Sequence, residues 1–264
     1  MSGGSTRVLD VADPKNAKHP RQFAFYDDGV GTSSFRPLTL LGGAFGIGLA
    51  RNIREIYAFL CRTYRPGDHI YAFGFSRGAF TIRTLVALIL AQGIIKYDGD
   101  EAELQRKVRA TFREFRRNLH KGNQLLIHLR WPRYRIIEAW HRLCGIGPEK
   151  DYEASDNHGP VHVEFVGVWD TVDAYGLPIE ELVRAIDRFI LPLNMANGDL
   201  NRRVLHARHA LALDEQRQTF HPRLWNEDMA VDPGRRIRQV WFAGVHADIG
   251  GGYPDDGLAH VTLN

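Results

Sequence analysis

The stretch YAFGFSRGAF places a serine between two glycines, in the pentad Gly74-Phe75-Ser76-Arg77-Gly78. A serine hydroxyl acts as a nucleophile when a base accepts its proton, another group orients that base, and backbone N–H groups stabilise the developing oxyanion. Glycines two residues away on each side permit the crowded strand-to-helix turn that lifts such a hydroxyl out of a sheet. The pentad therefore predicts that Ser76 is a nucleophile, and a serine that merely lies in a turn is the alternative.

An acid and a base follow Ser76 in the order that this chemistry uses. Asp170 comes directly after the apolar run VEFVGVW, and His246 comes directly after WFAGV. Both runs have the β-branched and aromatic content of buried strands, so each side chain is expected at the carboxyl end of a strand. Serine, acid and then histidine is the chain order of hydrolases whose serine lies on a strand-to-helix turn. We predict a triad of Ser76, Asp170 and His246.

Other carboxylates compete with Asp170 for the role of the acid; they are Asp173, Asp214, Glu215 and Asp248. Asp214 and Glu215 lie in ALALDEQR, a stretch that is typical of a helix. Asp248 is close enough in sequence to orient the loop that carries His246. The sequence leaves the choice between Asp170 and Asp214 open.

The sequence predicts no cofactor. The glycine-rich stretch GGAFGIGLARN lacks the third glycine of a dinucleotide-binding loop and follows no clear strand, and the chain has no phosphate-loop lysine pattern. The acidic stretch GGGYPDD suggests calcium by its composition but lacks the ligand spacing of an EF-hand. We therefore expect neither a nucleotide nor a metal ion.

A parallel sheet is the element that would bring these residues together. The predicted strands lie at 21–29, 69–75, 162–170 and 237–245, and the predicted helices lie at 52–64, 80–93 and 178–190. Asn52 is the expected N-cap of the first helix, and Gly93 is the expected end of the second. Strands that alternate with helices indicate an α/β fold with a mostly parallel sheet flanked by helices.

Residues 98–158 have no strand pattern, and we expect them to form a helical lid or insertion over the carboxyl edge of the sheet, within a single domain at 1–264. Twelve Lys or Arg against five Asp or Glu give residues 101–150 a net charge of +7, in a chain of formal net charge +3. Aromatic residues are interleaved with these charges: Phe112, Phe115, Trp131, Tyr134 and Trp140. Such a charge run most often indicates a solvated helical face, and peripheral contact of residues 101–150 with a lipid surface is the alternative.

The remaining composition is that of an ordinary globular chain, with 44% hydrophobic and 25% charged residues. A net charge of +3 gives no argument for a nucleic-acid partner, and Cys61 and Cys144 indicate no disulfide framework. The first residues lack the apolar core of a signal peptide, and the longest apolar run, Leu85 to Ile95, is too short to span a bilayer. We expect a cytoplasmic protein, with export by a dedicated secretion system as the alternative; the oligomeric state is unknown.

Six stretches, read in order, resemble the DUF2235 family of α/β-hydrolases, whose best-known members are the Tle1-type phospholipase effectors of bacterial type VI secretion. The stretches are FAFYDDGVGT, GGAFGIGLARNIREIYAFL, GDHIYAFGFSRGAFTIRTL, VEFVGVWDTVDAYGLP, HALALDEQRQTF and VWFAGVHADIGGGY. They run from residue 23 to residue 253, and GFSRGA together with GVHADIGGGY is the most specific pair.

The resemblance implies an α/β-hydrolase fold and hydrolysis of esters, with Ser76 as nucleophile, His246 as base and Asp170 as acid. The backbone N–H of Arg77, directly after the nucleophile, is the expected oxyanion donor. Members of the family begin with an apolar strand and an Asp-Gly-Thr phrase, whereas the opening TRVLDVADPKNAKHP resembles the helix and linker after that strand. We therefore expect a fragment of a longer gene product that lacks the loop supplying a second oxyanion donor.

These observations favour a serine hydrolase that cleaves carboxylic esters of lipids, foremost phospholipids. One alternative is an esterase for small soluble esters. Another is a hydrolase-fold binding module that has lost turnover.

Overall fold

The computed structural model describes residues 7–10, 22–27, 43–119, 153–172, 200–217, 220–228 and 236–263. The strands in this part of the chain are β1 (Arg7–Asp10), β2 (Phe23–Tyr26), β3 (Tyr71–Phe75), β4 (Val163–Trp169), β5 (Val204–Ala212) and β6 (Ile237–Phe242). The helices there are α1 (Gly43–Thr63), α2 (Arg77–Gln92), α3 (Glu101–Leu119), α4 (His246–Gly250) and α5 (Gly257–Leu263). The helix predicted at 178–190 lies outside the described residues.

Strands β3, β4, β5 and β6 form a parallel sheet in that spatial order. The register aligns Phe75 with Trp169 and Trp169 with Ala210, and it pairs Ala212 with Phe242 at the outer strand. All four strands therefore end at one edge of the sheet, where the residues that follow them converge. The parallel sheet and its flanking helices confirm the predicted α/β fold class.

Helices α1, α2 and α3 pack against one another, and α2 contacts strands β3 and β4 of this sheet. Their buried side chains, among them Tyr57, Leu88 and Val108, belong to one apolar cluster with Val166 and Val168 of β4. Val166 and Val168 are two residues apart on β4, so their side chains share one face of the sheet. The same cluster holds α2 against the sheet, which fixes the turn between β3 and α2.

Helix α1 begins at Gly43, well before the N-cap that the sequence predicts at Asn52. The glycine-rich stretch before Asn52 is a poor helix former, since a glycine costs about 1 kcal/mol relative to alanine inside a helix. Leu49 and Ile53 are 1% and 0% exposed, one helical turn apart, so their burial favours continuation of the helix toward its amino end. Tertiary packing outweighs local propensity here.

Within the predicted insertion at 98–158 the structure describes residues 98–119 and 153–158; helix α3 lies in the first of these segments and packs against α1 and α2. Phe112 and Phe115 are buried in the main core, so these two side chains are not placed for the interfacial contact considered from the sequence. Trp131, Tyr134 and Trp140 lie outside the described residues. None of the helices in the described ranges is long and apolar enough to cross a membrane.

Two further elements differ from the sequence interpretation. Arg7–Asp10 is a strand, antiparallel to β2, in a stretch that resembles a helix and linker. Val204–Ala212 is the strand β5, which the Ala- and Leu-rich sequence does not predict. Asp214 and Glu215 therefore follow a strand at the carboxyl edge of the sheet, and their expected helix is wrong.

Candidate active site

Ser76 lies in the sharp turn between β3 and α2, with backbone angles φ 57° and ψ −123°. A positive φ is uncommon for a residue with a side chain and costs about 1–3 kcal/mol, so surrounding contacts must hold it. The Ser76 N–H donates to the carbonyl oxygen of Trp169 at 2.9 Å, and the Ser76 carbonyl oxygen accepts from Phe80 N–H at 3.3 Å. A Cβ on Gly74 would lie only 2.6 Å from the carbonyl oxygen of Gly78, which explains the first glycine of the pentad.

Ser76 and Asp170 approach opposite nitrogens of the His246 ring. The Ser76 Oγ lies 2.8 Å from Nε2, and the Asp170 Oδ2 lies 2.5 Å from Nδ1. A proton on Nδ1 satisfies both contacts, because Nδ1–H then donates to the carboxylate and Nε2 accepts from the serine hydroxyl. Asp170 is 0% exposed and His246 is 6% exposed, so little water competes for these hydrogen bonds.

The Asp170 carboxylate is held by the ends of strands β4 and β5. The Asp170 N–H donates to the carbonyl oxygen of Ala210 at 2.8 Å, and Asp170 Oδ1 accepts from Ala212 N–H at 3.2 Å. Its backbone has φ 43°, in the left-handed region. Oδ1 is therefore committed to the backbone, which leaves Oδ2 for His246.

Three carboxylates hold the loop that leads into His246. The backbone N–H groups of Gly244, Val245 and His246 donate in turn to Asp214 Oδ2 at 2.7 Å, Asp248 Oδ2 at 2.8 Å and Glu215 Oε2 at 3.3 Å. The expectation that Asp248 orients this loop agrees with its contact. The contact of Asp214 is with the backbone of the loop and that of Asp170 is with the histidine ring.

Glu215 belongs to an ion pair beside the candidate site. Arg217 donates from Nε and Nη2 to the two carboxylate oxygens at 2.8 and 2.7 Å, and this pairing is the largest cause that lowers the pKa of Glu215 to about 2. The Arg217 guanidinium lies 3.8 Å from the ring centre of Phe220. The rings of Phe220 and His246 are nearly perpendicular, and their centres are 4.7 Å apart. The ring centre of Phe75 lies 4.6 Å from the His246 ring centre, so two aromatic rings pack against the imidazole.

Arg77, the predicted oxyanion donor, is the first residue of α2. The first N–H groups of an α-helix have no partner within the helix, and the helix dipole makes this end favourable for negative charge. The Arg77 N–H is therefore one of the N–H groups at the amino end of α2, directly after Ser76 in the chain. Burial lowers the pKa of the half-buried Arg77 guanidinium.

The acidic stretch after GGGYP contacts the start of α5. Asp255 Oδ1 accepts from Gly257 N–H at 3.4 Å, and Asp256 lies 3.3 Å from His260 one turn along the helix. Within the described ranges, no group of three or more His, Cys, Asp or Glu side chains is arranged to hold a metal ion.

Sequence reasoning missed several residues that surround Ser76, Asp170 and His246. Glu215, Phe220 and His209 all lie in or after β5, the strand that the pattern does not predict. Recognition of β5 would have placed DEQR at the carboxyl edge, beside His246.

The chain is similar to one protein family and to two individual proteins. The family model described as "T6SS, Phospholipase effector Tle1-like, catalytic domain" matches residues 5–264. The uncharacterized protein YEL023C of Saccharomyces cerevisiae is 26% identical over 227 residues, which is 78% of this chain and 28% of the yeast protein. The crystal structure of an uncharacterized protein from Pseudomonas aeruginosa is 20% identical with a TM-score of 0.29, over 79% of this chain and 23% of that one.

The chain thus spans about a quarter of the length of the relatives that it matches. The family match covers nearly all of its residues, from before β1 to the end of α5. This chain belongs to the family of type VI secretion Tle1-like phospholipase effector catalytic domains.

Proposed function

We propose that this protein is a serine hydrolase that cleaves carboxylic ester bonds of phospholipids. One observation carries the proposal: the buried ring of His246 lies between the Ser76 hydroxyl, at 2.8 Å from Nε2, and the Asp170 carboxylate, at 2.5 Å from Nδ1. This is the arrangement in which an imidazole removes the proton of a serine and an acid stabilises the resulting imidazolium. The description of the family as phospholipase effectors supports a lipid substrate.

In the proposed reaction, Ser76 Oγ attacks the carbonyl carbon of the ester while His246 Nε2 accepts the hydroxyl proton. The tetrahedral oxyanion that forms accepts a hydrogen bond from the Arg77 N–H. The ester C–O bond then breaks, and His246 returns the proton to the oxygen of the leaving alcohol. The acyl group remains on Ser76 as an ester.

Water completes the cycle. His246 accepts a proton from the water as it attacks the acyl-serine, and the second tetrahedral oxyanion collapses. The Ser76 oxygen leaves and regains its proton from His246, and the carboxylic acid is released. Throughout, Asp170 keeps the Nδ1 proton in place and stabilises each imidazolium.

The proposal extends to the way in which the protein meets a lipid surface. Arg106 and Arg109 are exposed on α3, while Leu104 and Val108 of the same helix are buried against the core. Basic residues near an anionic bilayer contribute on the order of 1 kcal/mol each, and salt screens the attraction. We expect Arg106→Gln with Arg109→Gln to weaken binding to anionic vesicles at low salt, with Arg51→Gln on α1 as the control. Equal vesicle binding by the wild type, the double variant and Arg51→Gln would contradict a membrane-binding role for this surface of α3.

Fatty-acid release from phosphatidylglycerol vesicles tests the function, beside turnover of a soluble p-nitrophenyl ester. Ser76→Ala and His246→Ala should each lose both activities by several orders of magnitude while folded, because such residues act as a unit. Ser155→Ala is the matched control. Ser155 is exposed, and its hydroxyl donates to the nearby Glu153 carboxylate at 3.3 Å. Substantial turnover by folded Ser76→Ala would contradict the mechanism. Turnover of the soluble ester alone would favour the esterase alternative.

A further inference from the structure

His209 is a buried histidine that lies outside the proposed triad. It is on β5, is 1% exposed, and its Nε2 accepts a hydrogen bond from the backbone N–H of Thr171 at 3.1 Å. Thr171 directly follows Asp170, whose backbone is in the left-handed region with φ 43°. The imidazole therefore contacts the turn that carries the proposed acid without contacting the acid's oxygens.

The tautomer of His209 is fixed by the residue on its other side. Its Nδ1 lies 3.2 Å from Gln239 Oε1. The Gln239 amide is itself oriented by the backbone of Trp225: Nε2 donates to the Trp225 carbonyl oxygen at 2.9 Å, and Oε1 accepts from the Trp225 N–H at 2.7 Å. Because the amide oxygen faces His209, Nδ1 must carry the proton and Nε2 must be the acceptor.

Burial, with a contribution from the nearby Arg83, favours the neutral form of the His209 ring. The Arg83 guanidinium lies 4.6 Å from the ring centre of Trp225, and the His209 ring meets the same tryptophan edge-on at 5.5 Å. Burial is the largest cause and lowers the pKa of His209 to about 4; the hydrogen bond with Gln239 opposes it, Arg83 adds to the lowering, and Asp170 opposes it. A neutral imidazole keeps the Nε2 lone pair that Thr171 requires.

The carbonyl oxygen of Thr171 is held as well. It accepts from Arg223 N–H at 2.9 Å, and Arg83 donates to the Arg223 carbonyl oxygen. Both backbone groups of Thr171 are thus fixed directly after the strained residue, which is what a left-handed conformation without glycine needs in order to persist.

We propose that His209 is a positioning residue: as a neutral acceptor for the Thr171 N–H, it holds the turn that aims the Asp170 carboxylate at His246. The proposal rests on the function proposed above for Ser76, Asp170 and His246. Loss of the contact lets the turn relax and moves Asp170 Oδ2 away from Nδ1. Misplacement by about 1 Å in an active site can lower turnover on the order of 100-fold.

Two amide variants separate positioning from packing. A glutamine at position 209 places its amide where Nε2 stands and can accept from Thr171, whereas an asparagine reaches only the place of Nδ1 and the contact with Gln239. We expect His209→Gln to keep kcat within about threefold of the wild type, and His209→Asn to lower kcat on the order of 10–100-fold with little change in KM. Equal kcat for the two folded variants would overturn the proposal.

A second readout needs no turnover. The Nδ1–H of His246 is bound to Asp170 at 2.5 Å, and such a short charged hydrogen bond shifts its proton resonance to low field in the NMR spectrum. We expect this resonance in the wild type and in His209→Gln, and its loss or displacement in His209→Asn. An unchanged resonance in His209→Asn overturns the positioning role, whereas an intact resonance without ester turnover in the wild type refutes only the proposed function. If His209→Asn does not fold, loss of the resonance in His209→Gln overturns the positioning role by itself.

Discussion

Replacement of Asp170 by asparagine reverses the tautomer on which the mechanism depends. Two donors face the carboxylate in the wild type: the Ala212 N–H at 3.2 Å from Oδ1 and the His246 Nδ1–H at 2.5 Å from Oδ2. An asparagine amide has one acceptor oxygen. When this oxygen faces the fixed backbone N–H of Ala212, the NH₂ group faces Nδ1 and requires Nδ1 to accept. The ring proton then moves to Nε2, where it faces the Ser76 hydroxyl and prevents proton removal.

The expected loss in kcat for Asp170→Asn is on the order of 10⁴-fold, as for the corresponding change in a known serine protease. This equals about 5 kcal/mol in the activation free energy. The fold should persist, since the side chain keeps its shape in a site that is 0% exposed. The assay is kcat on a soluble p-nitrophenyl ester, with the melting temperature measured in parallel.

Asp214→Asn is the matched control, because its oxygen accepts from the backbone N–H of Gly244, and an amide oxygen can also do this. We expect its kcat to stay within about threefold of the wild type. The reasoning is refuted if Asp214→Asn is the inactive variant and Asp170→Asn turns over normally.

Three further predictions follow from the same contacts. Gly74→Ala should destabilise the fold by about 3 kcal/mol or more, measured by urea unfolding, because the added Cβ would lie 2.6 Å from the Gly78 carbonyl oxygen. Glu215→Gln should lower kcat by about tenfold with little change in melting temperature. A neutral amide binds Arg217 more weakly than the carboxylate does, and the same side chain holds the backbone N–H of His246. A kcat equal to that of the wild type contradicts this role. The pKa of His209 falls from 6.5 to about 4 on folding, so the unfolded chain binds more protons between these values, and the free energy of unfolding should decrease as the pH falls from about 6.5 to 4. The same titration of His209→Gln should give a shallower slope, and an equal slope would assign the effect to other groups.

The convergence of Ser76, Asp170 and His246 could be predicted from sequence because each of them follows a strand with a clear pattern. Ser76 lies between an aromatic strand and an apolar helix, and Asp170 and His246 come directly after or close to the ends of β4 and β6. Parallel strands bring such positions to one edge without any further information. The strained φ of Ser76 and of Asp170 leaves no mark on the sequence apart from the two glycines of the pentad.

The positions of Glu215 and His209 could not be predicted because the sequence of β5 does not have a strand pattern. Its sequence VLHARHALA is rich in Ala and Leu, which favour a helix in isolation. Pairing with β4 on one side and β6 on the other outweighs that preference, since β5 is an inner strand of the sheet. Because β5 is not predicted, neither Glu215 nor His209 is expected from the sequence at the carboxyl edge of the sheet.

The composition of the basic residues 101–119 does not predict which face of α3 is buried. Phe112 and Phe115 are interleaved with arginines in the sequence, yet they face the core at helical spacing. Charge and aromatic content alone do not distinguish a membrane-binding helix from an amphipathic helix that covers a sheet.

Covalent labelling with a fluorophosphonate tests the central claim most directly, because the reagent requires an activated serine and no knowledge of the substrate. After digestion, mass spectrometry should locate the adduct on the peptide that contains Ser76, with no adduct in Ser76→Ala and strongly slowed labelling in His246→Ala. Ser155→Ala should label like the wild type. A folded wild-type protein that carries the adduct on another residue, or that stays unlabelled at reagent concentrations sufficient for known serine hydrolases, would contradict the account.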